Sequence, residues 1–264
     1  MELEIIKANL LQEFVNKANG NIVDLLENID KEKLPVDYFQ FYNSVSSVYS
    51  SKIEGEEIDF DSFYKHKFMN VSYQANYTQR AEDLFAAYAF IENKELNFDN
   101  TRKAHKILSA HLLPVDQQGR LRNNPMFVIN SDDRIEYVAA EPNLVSREME
   151  KLFRDIAYLL SQELNTKEVF YYASMIHLVF VKVHPFQDGN GRAARLMEKW
   201  FLISKLGRKA NAIQLEKNYY QNLSAYYSNI KKLGLEYIDL DFDKAMDFLL
   251  MTIDSIRNNH NNGQ

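Results

Sequence analysis

The sequence contains no cysteine, which excludes disulfides, a thiol nucleophile and a thiolate-ligated metal. Turn formers are scarce as well. With 8 Gly and 5 Pro in 264 residues, neither a turn-rich β architecture nor a long disordered linker is expected. There is no basic surplus: the formal charge is −6, the opposite of the balance carried by chains that coat nucleic acid, so no nucleic-acid partner is expected. Long hydrophobic runs are missing too. The most apolar stretch, 175–181, is interrupted by His177 and is far too short to span a bilayer. The leading Met1-Glu2-Leu3-Glu4 lacks the basic region of a secretory signal. These absences lead to the expectation of a soluble, cytoplasmic protein with no membrane partner. What the chain does have is apolar bulk. Hydrophobic residues make up 46% of it, with 16 Tyr and 17 Phe, enough to fill the core of one large domain or of a domain with an elaborated flank.

The spacing of that bulk is mostly helical. Leu3, Ile6, Leu10 and Phe14 predict a helix over 2–18, with Gly20 as its stop. Further helices are predicted near 21–29, over 36–53 after Pro35, over 58–94, and over 101–113 with Asn100 or Thr101 as cap and Pro114 as stop. The runs 126–129 and 135–138 are β-prone and flank the polar 130–134, a hairpin signal. Helices resume over 146–163, 166–183, 191–206, 215–233 and 241–257, and the polar tail 258–264 is expected to fray. The class is therefore all-α with one small β-hairpin. Residues 1–95 form an N-terminal helical region, 96–235 a core bearing the hairpin, and 236–264 a C-terminal helix and tail.

One stretch stands apart: His184-Pro185-Phe186-Gln187-Asp188-Gly189-Asn190-Gly191-Arg192-Ala193-Ala194-Arg195. Pro185 ends the apolar helix before it. Gly189 and Gly191 allow positive φ and close approach to a ligand, and the backbone N–H groups opening the next helix then make an anion site. Arg192 and Arg195, three residues apart, share a helix face from which they reach phosphates. Asp188 supplies one carboxylate, which together with phosphate oxygens suits Mg²⁺. The His184 imidazole suits removal of a hydroxyl proton near neutral pH. The parts describe phosphoryl or nucleotidyl transfer. Other readings of the segment compete. It matches the dinucleotide pattern G-x-G-x-x-A, but a helix precedes it where that pattern needs a strand. His184 and Asp188 have the spacing of helical zinc ligands, but Pro185 and Gly189 interrupt any helix there. A purely structural loop is the third reading.

The twelve residues resemble the signature of the Fic family, HPFx(D/E)GNGRxxR, at every fixed position, and the likeness to the family core extends from about Thr101 to Tyr227. Gly119-Arg120-Leu121-Arg122 is similar to the lead-in to the family's hairpin flap. The resemblance implies a mostly helical fold that moves AMP from ATP to a hydroxyl of a target protein. It implies that His184 is the base and that Asp188 holds Mg²⁺ between the α- and β-phosphates. The backbone at Gly189 and Gly191, together with Asn190, would cradle the phosphates, with Arg192 on the β-phosphate side and Arg195 at the γ-phosphate. It also implies a flap that pairs with an extended target segment. Upstream, Ser50-Ser51-Lys52-Ile53-Glu54-Gly55 resembles the family's inhibitory pattern (S/T)xxxE(G/N) through Ser50, Glu54 and Gly55, in which Glu54 would occupy Arg195. The competing reading is a helix-capping box, Ser51-x-x-Glu54. Tyr219 and Tyr220 resemble positions lining the family's adenine pocket, and are equally an ordinary aromatic pair of the core. His177, on an apolar helix, reads as a packed, hydrogen-bonded histidine; His66, His105, His111 and His260 read as structural or surface. Transfer or removal of another phosphate-containing group, a nucleotide-sensing scaffold without activity and a DNA-binding regulator are the rival functions. The intact His184 argues against a scaffold, and the acidic charge against DNA. A homo-oligomer is compatible with the sequence.

Overall fold

The computed structural model describes residues 2–18, 22–29, 37–74, 76–129 and 133–261, with side chains up to 256. The expected stops at Gly20 and Pro35, the hairpin tip at 130–132 and the end of the tail lie outside these residues. Twelve helices are described: α1 (Leu11–Lys17), α2 (Ile22–Asn28), α3 (Tyr38–Ile53), α4 (Phe60–Met69), α5 (Gln79–Ile91), α6 (Phe98–Leu108), α7 (Pro142–Ser161), α8 (Thr166–Val183), α9 (Asn190–Leu206), α10 (Leu215–Gln221), α11 (Leu223–Lys231) and α12 (Met246–Asn261). Between α6 and α7 lie β1 (Phe127–Ile129) and β2 (Ile135–Val138), an antiparallel pair with Phe127 opposite Val138. The protein is all-α with one small hairpin. No helix among the described residues is long and apolar enough to cross a membrane.

Helix α8 is the centre of the molecule. It is apolar around nearly its whole circumference and is buried along nearly all its length. A capping box starts it: the Asn165 side chain accepts from the Glu168 N–H while the Glu168 carboxylate accepts from the Asn165 N–H. Along it pack α9, α7 and α12. Helix α3 lies against α5 and α10. That placement carries the C-terminal end of α3 to the first turns of α9.

Several boundaries depart from the helical spacing, each for a local reason. Residues 2–10 are not helical, because the buried Asp155 carboxylate collects the N–H groups of Glu4 (2.8 Å), Ile5 (2.9 Å) and Ile6 (2.9 Å) and bends the chain around itself. The predicted 58–94 helix is two helices: α4 ends at Asn70 in the left-handed region (φ 55°), a conformation that asparagine tolerates. Asn97, three residues earlier than Asn100, caps α6 by accepting from the Asn100 N–H (2.9 Å). Proline at the start of α7 lengthens that helix backwards to Pro142. The predicted 215–233 helix breaks at Asn222.

The hairpin is tied down on one side. The Tyr137 hydroxyl donates to the Lys182 carbonyl (2.7 Å), Lys231 pairs with Glu136 (3.1 Å), and the Val138 N–H donates to the Leu235 carbonyl (2.8 Å). The segment at 235–236 therefore covers the outer edge of β2, and β1 has no strand on its other side among the described residues.

Candidate active site

The loop joining α8 to α9 is held from beneath. His184 is the C-cap of α8 in a left-handed conformation (φ 54°, ψ 60°), its N–H bonded to the Phe180 carbonyl (3.0 Å). The Arg122 guanidinium gathers the carbonyls at this helix end. Its Nε donates to His184 O (2.7 Å) and its Nη2 to Val183 O (3.2 Å) and to Ala140 O. The His105 ring stacks on Phe186 at 3.6 Å. Its Nδ1 accepts the Gly119 N–H (3.0 Å), so its Nε2–H donates to the Asp188 carbonyl (2.9 Å). Burial lowers the pKa of His105 to about 4, in keeping with this neutral tautomer. Gly189 has φ +78°, and a Cβ there would press on Leu108 at 3.2 Å and on the His105 ring at 3.3 Å, so only glycine lets the loop pass.

The His184 imidazole faces a cleft of about 540 Å³ between the loop, the hairpin and α11. Its Nδ1–H donates to the Val181 carbonyl (3.2 Å), which leaves the Nε2 lone pair to accept a proton. Burial lowers its pKa to about 4, so the ring is neutral across the physiological range. Lys182 also lines the cleft, its ammonium 3.9 Å from the centre of the Tyr137 ring, and burial lowers its pKa to about 8.

The two arginines are each met by an acid from the segment after α3. Arg195, buried at 1% exposure, donates from Nη2 to Glu54 (2.6 Å) and to Ser50 O (3.1 Å), and from Nε to Ser50 Oγ (2.9 Å). The Glu54 carboxylate rests over Gly191: a Cβ on that glycine would lie 2.6 Å from Glu54 Oε1. An anion is favoured at that spot, the first turn of α9. Burial raises the pKa of Glu54, but the charges of Arg195 and Arg192 outweigh it and hold the carboxyl below its ordinary value. Arg192 donates from Nη2 to Glu56 (3.1 Å), which also pairs with Arg80 (2.5 Å). The Arg192 Nε is buried with no hydrogen-bond partner among the described residues.

The structure thus gathers His184, Gly191, Arg192, Arg195, Ser50 and Glu54 around one site. Asp188 stands exposed at its rim, one carboxylate oxygen accepting the Gly189 N–H (2.6 Å). Other expected residues fall elsewhere. The Asn190 side chain is engaged by Phe186, accepting its N–H (2.9 Å) and donating to its carbonyl (2.8 Å), and so closes the loop on itself. Tyr219 is fully buried and donates to Glu198 (2.8 Å). Tyr220 turns the other way, against Tyr49 and Lys52 of α3. Neither lines the His184 cleft; its tyrosines are Tyr137, Tyr226 and Tyr227. Ser51 sits in the last turn of α3 with Glu54 as the C-cap, so the two do not form a capping box, a device of helix starts. Spacing alone does not single out Glu56 or Tyr226, whereas His105 is structural, as expected. Of these two, only Glu56 had a visible signal, a second acid two residues beyond Glu54 across Gly55.

Residues 95–202 match the model of the Fic/DOC family. Protein adenylyltransferase Fic of Nematostella vectensis is 29% identical over 112 residues, which are 42% of this chain and 24% of that protein. Protein adenylyltransferase Fic of Drosophila erecta is 20% identical over 208 residues, 68% of this chain and 40% of that protein. The matches therefore span well under half the length of these relatives. Among solved structures, a Fic family protein from Desulfovibrio desulfuricans G20 superposes with a TM-score of 0.77 at 17% identity, covering 99% of this chain and 77% of that one. Fic-1 (residues 134–508) from C. elegans gives 0.64 at 16% identity, covering 96% and 73%.

Proposed function

This chain carries a Fic domain, and on that premise we propose that it is a protein adenylyltransferase that moves AMP from ATP to a target hydroxyl and is restrained by its own Glu54. The observation that carries the reading is the position of the Glu54 carboxylate. It lies on Arg195, over Gly191, at the helix start, where an anionic phosphate of a nucleotide is favoured. A site that attracts one anion attracts another, and a base stands beside it. In the transfer, His184 Nε2 takes the proton of the target hydroxyl and that oxygen attacks the α-phosphorus. The bond from the α-phosphorus to the bridging oxygen breaks, and pyrophosphate leaves. Arg192, whose buried Nε has no hydrogen-bond partner among the described residues, meets the phosphates together with Arg195. Asp188 suits Mg²⁺. It is a single exposed carboxylate at the phosphate end of the loop, and no group of three or more His, Asp or Glu among the described residues could form an all-protein cage. The ion there would offset phosphate charge. The target segment adds along the edge of β1 that no strand covers among the described residues.

The deciding experiment compares α-labelled with γ-labelled ATP, each incubated with the purified Glu54→Gly variant alone and read as automodification. Label from the α position alone should become covalently attached to protein. Attachment from the γ position would make the enzyme a kinase and end the reading. A further expectation concerns the metal. Asp188→Ala should abolish the Mg²⁺ dependence of ATP binding in calorimetry, since no second carboxylate of the loop can replace it. Unchanged Mg²⁺-ATP affinity would assign the ion to another residue.

A further inference from the structure

Among the described residues, four hydrogen bonds hold the Arg195 guanidinium, and three come from Ser50 and Glu54. The function proposed above requires the Glu54 carboxylate to leave Nη2 before ATP can bind productively. Ser50 still holds Nε and Nη2, and the Nη1 end then keeps one contact, the Tyr226 hydroxyl on α11 (3.2 Å). A guanidinium end that is free to turn loses that freedom when it meets a phosphate, and the cost weakens binding.

Tyr226 is held for this purpose by a buried chain of hydrogen bonds. Its hydroxyl meets His177 Nε2 (3.0 Å), and His177 Nδ1 meets Glu198 (2.6 Å). Glu198 also accepts from Tyr219 (2.8 Å) and Thr252 (2.9 Å). Tyr226, His177, Glu198, Tyr219 and Thr252 are all buried at 0–1% exposure. The direction of the chain follows from its donors. The Arg195 guanidinium only donates, so the Tyr226 oxygen accepts from it, and His177 Nε2 is the partner left for the hydroxyl proton, with His177 Nδ1 on Glu198. The Tyr226 hydroxyl therefore donates to His177 and turns its lone pairs toward Arg195. We propose that Tyr226 is the positioning residue that keeps the Nη1 end of Arg195 aimed at the terminal phosphate after Glu54 has left, with His177 and Glu198 fixing the direction of its hydroxyl. This rests on the reading of Arg195 as a phosphate ligand.

The test is Tyr226→Phe in the Glu54→Gly background, which deletes one oxygen and keeps the ring. Calorimetry should show Mg²⁺-ATP bound about tenfold more weakly, the size of one hydrogen bond to a charged group. AMP, which lacks the phosphates reaching Arg195, should bind as before. In the presence of Arg195→Ala, the tyrosine change should cost nothing further, since it acts through the arginine. If Arg195→Ala weakens ATP binding and Tyr226→Phe does not, or if Tyr226→Phe weakens ATP and AMP alike, the positioning role is wrong. If Arg195→Ala leaves ATP binding intact, the phosphate assignment fails and this inference fails with it.

Discussion

His184→Ala is expected to lower AMP transfer by about 10²–10⁴-fold while ATP binding stays near that of the parent. The imidazole lines the cleft with Nδ1 committed to the Val181 carbonyl and the Nε2 lone pair left over, so on the proposed mechanism its loss removes the proton acceptor and leaves the arginines in place. Transfer of labelled AMP and ATP affinity, measured on the same preparation, separate the two effects. Parallel loss of both would mean that His184 organises the nucleotide site. The acid limb of the pH profile should lie low. With its pKa lowered to about 4, His184 stays a competent base down to that region, and activity should fall only as pH drops through it. Fold stability should respond earlier. His105 and His184 both have folded pKa values depressed to about 4 from 6.5, so the unfolded chain binds protons first as pH falls. Their contribution is fully present above 6.5 and is lost between 6.5 and 4, which thermal melts over that interval would reveal as a falling Tm.

Glu54→Gly should raise transfer about a hundredfold, which corresponds to about 2.7 kcal/mol in favour of the closed arrangement. The contact that supplies it is enclosed: Arg195 is buried, and the Glu54 carboxylate sits at the start of α9. Charge-assisted pairs of this kind are among the stronger hydrogen bonds. Arg195→Ala also breaks the pair but should not activate, because the phosphates need the same guanidinium. The double variant should resemble Arg195→Ala. Automodification with α-labelled ATP, at equal protein concentration, ranks the three. A Glu54→Gly protein no more active than a parent whose activity depends on His184 would reduce 50–55 to a simple helix end.

The sequence made the chemistry legible where it is local. The 184–195 loop is a run of residues whose special conformations and charges are read one by one, and Pro185 marks the end of helix α8. Contacts made across the chain were not legible. The bend at 2–10 depends on Asp155, about 150 positions away, whose carboxylate outcompetes a helical pattern that is real in the sequence. Tyr219 and Tyr220 read as one aromatic pair, but the helix sends them to opposite sides, one into the core and one onto α3. Tyr226 carried no motif at all. Its importance comes only from meeting both Arg195 and His177. Asn190 shows the converse: a motif residue whose position is informative but whose side chain serves the loop itself.

The left-handed backbone of His184 places chemistry and durability in opposition. A residue with a Cβ at φ 54° is held there at a cost of about 1 kcal/mol or more, which glycine would escape. His184→Gly should therefore melt about 2–4 °C above His184→Ala, although both are inactive. The fold on its own would favour glycine at this helix end, and the histidine is kept there at the expense of heat resistance. A descendant of this chain released from the reaction would be free to drift toward glycine or asparagine at position 184, and would gain thermal stability as it lost its base.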